Sequence, residues 1–118
     1  DTVEYCVKKG IPILPGCSSP SDIEQAIKYG LNVVKFFPAE PSGGLKMIKA
    51  ITAALTSLKV MPTGGISASN VTEYLQNSKI FCAGGSWMVK GDMIKAGQWD
   101  EITAKVREAA EIVKSVRG

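Results

Sequence analysis

Four short apolar runs punctuate the chain, at residues 11–14, 33–37, 59–62 and 80–83, and their starts fall 22, 26 and 21 residues apart. Between and after them, apolar residues recur at helical spacing over 21–29, 45–58, 68–75 and 99–116. In the last of these Ile102, Val106, Ala109, Ala110 and Val113 form a stripe. The alternation predicts four successive strand–helix units. Strands this apolar are expected to be covered on both faces, as in a parallel sheet with helices outside it. Start and stop signals agree: Ser19 precedes Pro20 as an N-cap precedes a first-turn proline, Ser67 can cap the third helix, and Gly30 and Gly118 mark helix ends. Residues 2–9, closed by Gly10, read as the tail of a helix whose beginning lies upstream.

Four βα units led by such a tail fit the second half of a (β/α)8 TIM barrel, a fold that needs about 200 to 250 residues when complete. The whole of 1–118 then forms a single α/β unit, with 1–10 as the end of a preceding helix. A doubly wound sheet is the competing architecture, but its G-x-G-x-x-G turn is absent after the first strand, where the chain reads Leu14-Pro15-Gly16-Cys17-Ser18.

Composition narrows the chemistry. With 118 residues, 45% hydrophobic and 21% charged, the chain fits one globular unit. Its net charge of +3 comes from scattered lysines, not blocks, which argues against a nucleic-acid or membrane surface and leaves a small anionic ligand open. No stretch approaches the roughly 18 apolar residues of a membrane span, and the opening resembles no signal peptide, so a cytoplasmic location is expected. Three cysteines without a C-x-x-C spacing point to reduced thiols instead of a disulfide framework or a zinc site. The chain has no histidine, so Ser-His and Cys-His nucleophiles and histidine-ligated metals are excluded within it.

In either architecture ligands sit beyond the carboxyl ends of the strands. There stand Lys35-Phe36-Phe37-Pro38, Thr63-Gly64-Gly65 and Gly84-Gly85-Ser86. Glycine in such turns lets backbone N–H groups approach an anion without a Cβ in the way, and barrels often hold phosphate on the loops after their last two strands. The alternative is two tight turns and nothing more. Lys35 has two readings as well. Its stem can pack while the ammonium snorkels outward, or its apolar neighbours Val33, Val34, Phe36 and Phe37 can disfavour the ammonium and free an amine to attack a carbonyl. Strand alternation puts Val33, Lys35 and Phe37 on one face. Glu40, just beyond, reads as a base, a partner to Lys35 or a solvated loop carboxylate. Trp87 and Met88 read as packing, and Trp99 as a helix anchor.

Taken in order and spacing, KFFPAE at 35–40, PTGGI at 62–66 and GGSWMV at 84–89 resemble the 2-keto-3-deoxy-6-phosphogluconate (KDPG) and 4-hydroxy-2-oxoglutarate (KHG) aldolases, and GIPILPG at 10–16 resembles that family's fifth strand. The resemblance implies a class I aldolase on a (β/α)8 barrel, usually a homotrimer, that cleaves a phosphorylated keto acid to pyruvate and glyceraldehyde 3-phosphate with no metal or other cofactor. By motif position Lys35 is similar to the Schiff-base lysine, Phe37 to the aromatic over it, and Thr63 to the threonine that orients substrate. Gly64, Gly65, Gly85 and Ser86 match the phosphate-binding loops. The family's general-base glutamate and carboxylate-binding arginine belong to an early strand upstream of these residues, and Glu40 belongs to a different motif. Such a half-barrel is expected to pair with its N-terminal half or with other copies. A half-barrel that binds a phosphorylated ligand or self-associates without catalysis is the other class of function compatible with these residues.

Overall fold

The computed structural model describes residues 1–118. It contains α1 (Thr2–Lys9), β1 (Gly16–Cys17), α2 (Pro20–Lys28), β2 (Val33–Phe36), α3 (Gly44–Ala54), β3 (Lys59–Pro62), α4 (Val71–Leu75), α5 (Gly91–Lys95) and α6 (Trp99–Arg117). The three strands are parallel and lie side by side in chain order, with Lys35 in register with Gly16 on one side and Met61 on the other. The fold is therefore α/β with a parallel sheet.

Local chemistry explains where the best-read elements begin. At α2 the Ser19 side chain accepts from the Asp22 N–H (3.2 Å), and the Asp22 carboxylate accepts from the Ser19 N–H (3.0 Å), a reciprocal capping box with proline in the first turn. Asp22 also takes the Ser18 N–H. These hydrogen bonds, led by that from Ser18, hold its carboxyl below the usual carboxylate range. Ile23 and Ala26 then fall on one side of α2, and Leu45, Ile48 and Ile51 on one side of α3, and both helices bury those stripes against the sheet.

Other expectations are corrected. Residues 11–14 form no strand: Pro12 and Pro15 supply no N–H, so pairing starts only at the Pro15 carbonyl, which accepts from Lys35 (3.0 Å). Residues 80–83 make isolated bridges, Val60 with Ile80 and Thr63 with Gly84, in place of a regular fourth strand. The third helix is shorter than predicted and its N-cap is Asn70, not Ser67. Helix α5 was not read from the sequence. Trp99 does not anchor α6; it is 60% exposed.

The sheet is also not covered on both faces. Val34, Phe36 and Val60 are almost wholly buried under the helices, whereas Val33, Lys35 and Met61, on the other face, remain partly exposed. No helix of this chain lies over that second face, which carries Lys35. No helix is long and apolar enough to cross a membrane.

Candidate active site

Lys35 lies on the open face of β2. Its two most deeply buried sequence neighbours, Val34 and Phe36, point the other way, so the four apolar side chains of 33–37 do not enclose it together. Phe37 does share its side: the Lys35 Nζ stands 4.9 Å from the centre of that ring, a cation–π contact. Glu40 is no partner of Lys35, since the only ion pair in the chain joins Lys8 and Glu4.

Beyond the strands the parallel hydrogen-bond ladder continues into the turns. Phe37 N–H donates to Cys17 O (3.0 Å), Thr63 N–H to Phe36 O (3.0 Å), Ala39 N–H to Thr63 O (2.8 Å), Glu40 N–H to Gly64 O (3.0 Å) and Gly84 N–H to Pro62 O (2.9 Å). This draws the three turns into one rim. Between them opens a cavity of about 320 Å³ lined by Phe37, Thr63, Gly64, Gly65, Ile66, Gly85 and Ser86. Every residue predicted to bind substrate or phosphate lines that cavity, and Lys35 adjoins it through Phe37.

What the cavity offers is mostly backbone. The amides of Gly64, Gly65, Gly85 and Ser86 donate to no backbone acceptor, and such unpaired N–H groups suit an oxyanion. The glycines earn their place for a reason the sequence did not suggest. At Gly64 (φ +100°) an added Cβ would stand 3.1 Å from Pro38 Cα, and at Gly65 (φ +78°) one would stand 2.6 Å from the Cβ and Cγ of Glu40. Side chains are excluded there by the neighbouring turn, and the diglycine is moulded against residues 38–40. Thr63 Oγ1 and Trp87 Nε1 are both buried with no hydrogen-bond partner, an unusual state for polar atoms. Trp87, as expected, packs on the core, its ring against Gly85.

Two residues escaped the sequence reading. Asn70 Nδ2 donates to Gly65 O (2.9 Å) while its Oδ1 accepts from Ser67 N–H (2.9 Å). Tyr74, 2% exposed, donates its phenol to Glu40 Oε1, so Glu40 is a tethered group and not a free loop carboxylate. Burial first, and then Glu40, pushes the Tyr74 phenol up, which keeps it a donor. The available signal was a tyrosine on the apolar side of a helix, whose buried hydroxyl requires a partner.

Cys17 and Cys82 are poor nucleophiles. Burial, with Asp22 adding to it, pushes Cys17 up to about 11, and burial raises Cys82. No three acidic or thiol side chains converge as a metal site would require. A second hollow of about 350 Å³, between residues 71–88 and α6, is lined by apolar side chains and Arg117 and holds no group suited to this chemistry.

Comparison with known proteins bears on this arrangement. The family model described as KDPG and KHG aldolase matches residues 1–105. A curated relative from Haemophilus influenzae, 2-dehydro-3-deoxy-phosphogluconate aldolase, is 46% identical over 95% of this chain and 53% of its own length. Among solved structures, the Legionella pneumophila KDPG aldolase with pyruvate captured as a covalent carbinolamine is 39% identical, with a TM-score of 0.76 over 92% of this chain and 49% of that one. The Zymomonas mobilis 2-keto-3-deoxy-6-phosphogluconate aldolase with 3-phosphoglycerate is 35% identical, with a TM-score of 0.84 over 92% and 51%. The chain thus spans about half the length of the curated relatives it matches.

Proposed function

The chain belongs to the KDPG and KHG aldolase family, and from that premise we propose that it supplies the imine-forming amine and the phosphate-holding loops of a class I aldolase. The reaction is cleavage of 2-keto-3-deoxy-6-phosphogluconate to pyruvate and glyceraldehyde 3-phosphate, with 4-hydroxy-2-oxoglutarate as a second substrate giving pyruvate and glyoxylate. The observation that carries this reading is the single cavity in which Phe37, Thr63 and the unpaired amides of Gly64, Gly65, Gly85 and Ser86 converge beside Lys35.

In this mechanism the neutral Lys35 amine adds to the 2-keto carbon to give a carbinolamine, and loss of water leaves a protonated imine. The C3–C4 bond then breaks. Its electron pair moves into the imine, forming the enamine of pyruvate, while the C4 hydroxyl loses its proton and becomes the aldehyde carbonyl. Protonation of the enamine at C3 and hydrolysis of the imine return pyruvate and the free amine. Thr63 Oγ1, buried and unpartnered, is assigned to a substrate oxygen near the reacting carbon, and the glycine-rich turns to the distal phosphate. Phe37 covers the amine. The carbinolamine of the Legionella protein and the phosphorylated ligand of the Zymomonas protein support carrying both assignments over.

Residues 1–118 are read as one α/β unit, the C-terminal half of a (β/α)8 barrel. The sequential order β1-β2-β3, with bridges onward to Ile80 and Gly84, supports this, since a doubly wound sheet reverses its order at a switch point. The general base and the group that binds the substrate carboxylate are then assigned to the preceding half, the assembly to a cytoplasmic homotrimer of full-length chains. The test is borohydride reduction of the full-length protein in the presence of pyruvate, followed by peptide mass spectrometry. A reduced pyruvate adduct on Lys35, absent in Lys35→Ala, is expected; an adduct that persists in that variant, or none in the parent, overturns the assignment.

A further inference from the structure

The two turns that flank the cavity are held to each other and to α4 by a short chain of contacts in which Glu40 is the middle link. Its N–H donates to Gly64 O (3.0 Å), and its Cβ and Cγ fill the space where a side chain on Gly65 would stand. Its carboxylate accepts from Tyr74 on α4, and the same oxygen lies 3.0 Å from where a Cβ on Gly44 would stand. Asn70, the N-cap of α4, holds Gly65 O directly (2.9 Å). The diglycine is therefore fixed twice from α4, once by Asn70 and once through Tyr74 and the stem of Glu40.

This arrangement has an electrostatic side. Glu40 sits one residue from the wall of a site built for an anion, yet it does not line that cavity, because its carboxylate is drawn toward Tyr74 and Gly44. Released, a carboxylate at this place would oppose a phosphate. We propose that the Tyr74–Glu40 hydrogen bond is a positioning device that fixes the Gly64–Gly65 amides and keeps the Glu40 charge off the anion site, so that it governs affinity for the phosphate end of the substrate and not formation of the imine. Neither residue touches the reacting atoms. The inference rests on the phosphate assignment proposed above, and it names what regulates that half of the site.

The experiment uses the full-length protein and three readouts: steady-state cleavage of 2-keto-3-deoxy-6-phosphogluconate and of unphosphorylated 4-hydroxy-2-oxoglutarate, inorganic phosphate affinity by calorimetry, and borohydride trapping of pyruvate. Tyr74→Phe removes only the hydroxyl. It is expected to raise KM for the phosphorylated substrate and Kd for inorganic phosphate by roughly tenfold, the scale of a hydrogen bond to a charged group. KM for the unphosphorylated substrate and the rate of pyruvate trapping stay within about twofold. Adding Glu40→Gln to Tyr74→Phe neutralises the released charge and recovers at least about threefold of the lost phosphate affinity. Equal effects on the two substrates, unchanged phosphate affinity, or no recovery in the double variant would overturn the inference. A parent protein that binds phosphate but traps no pyruvate would instead sink the aldolase reading. One that traps pyruvate without binding phosphate would sink the assignment of the glycine-rich turns to the phosphate.

Discussion

Gly65 is the residue at which the packing of the site is most exposed to test. Its backbone is left-handed, and the Glu40 side chain occupies its Cβ position. Gly65→Ala is expected to destabilise by about 2 to 4 kcal/mol, combining the conformational cost with overpacking. In a Glu40→Gly background the same substitution should cost only about 1 kcal/mol, because the conformational part alone remains. Urea unfolding of the four proteins measures the difference, and equal costs in both backgrounds would refute the moulding of this turn against Glu40. At this scale the sequence was informative where chemistry is local. Residue type and strand-end position offered Lys35, Thr63 and the diglycines as candidates, and only the family resemblance attached roles to them. Tyr74 could not be placed, since a hydrogen bond between residues 34 positions apart has no imprint on spacing.

Among the elements, α2 is the one whose beginning was most legible, because serine before proline at 19 and 20 marks an N-cap and a first turn, to which the structure adds Asp22 as the other half of a capping box. Ser19→Ala should cost about 1 kcal/mol. The Asp22 carboxyl is lowered in the folded chain relative to its ordinary value near 3.8, so it binds a proton less readily folded than unfolded. Its contribution is thus present above that ordinary value and disappears as pH falls through the folded one. Melting temperatures between neutral and acidic pH should converge for the parent and Asp22→Asn at the acid end, and a gap that persists or widens there would contradict the linkage. The first and fourth strands were illegible for the opposite reason. Apolar runs at 11–14 and 80–83 read as chain buried in a sheet, but Ile11, Leu14 and Phe81 stay exposed, and regular pairing also needs N–H groups and a neighbour on each side. Prolines remove the first at 12 and 15, and nothing in this chain lies beyond Ile80 to supply the second.

At the scale of the whole molecule the open face dominates. The accessible surface is 7233 Å², against about 6,200 Å² for a folded monomer of this mass. The radius of gyration is 15.6 Å, against about 13.5 Å for a compact domain of this length. Ile11, Leu14, Phe37 and Phe81 are among the apolar side chains left exposed. Residues 1–118 produced alone should therefore associate at micromolar concentration, as sedimentation velocity would report, and should turn over little or no substrate. A monodisperse monomer with aldolase activity near that of the full-length protein would refute the half-barrel proposal. The expectation that helices cover both faces came from strand hydrophobicity alone, which cannot tell a face packed by helices from one packed by other strands across a barrel.

The ladder that runs out of β2 and β3 into Ala39, Glu40, Thr63 and Gly64 gives the site a particular thermal character. Catalytic turns on many scaffolds loosen well before the body melts. Here residues 39–40 and 63–64 share hydrogen bonds with the sheet, so that part of the rim is expected to open only together with β2 and β3. Hydrogen exchange on warming should then show those amides losing protection together with the strands, so that the cavity wall lasts as long as the sheet that carries it.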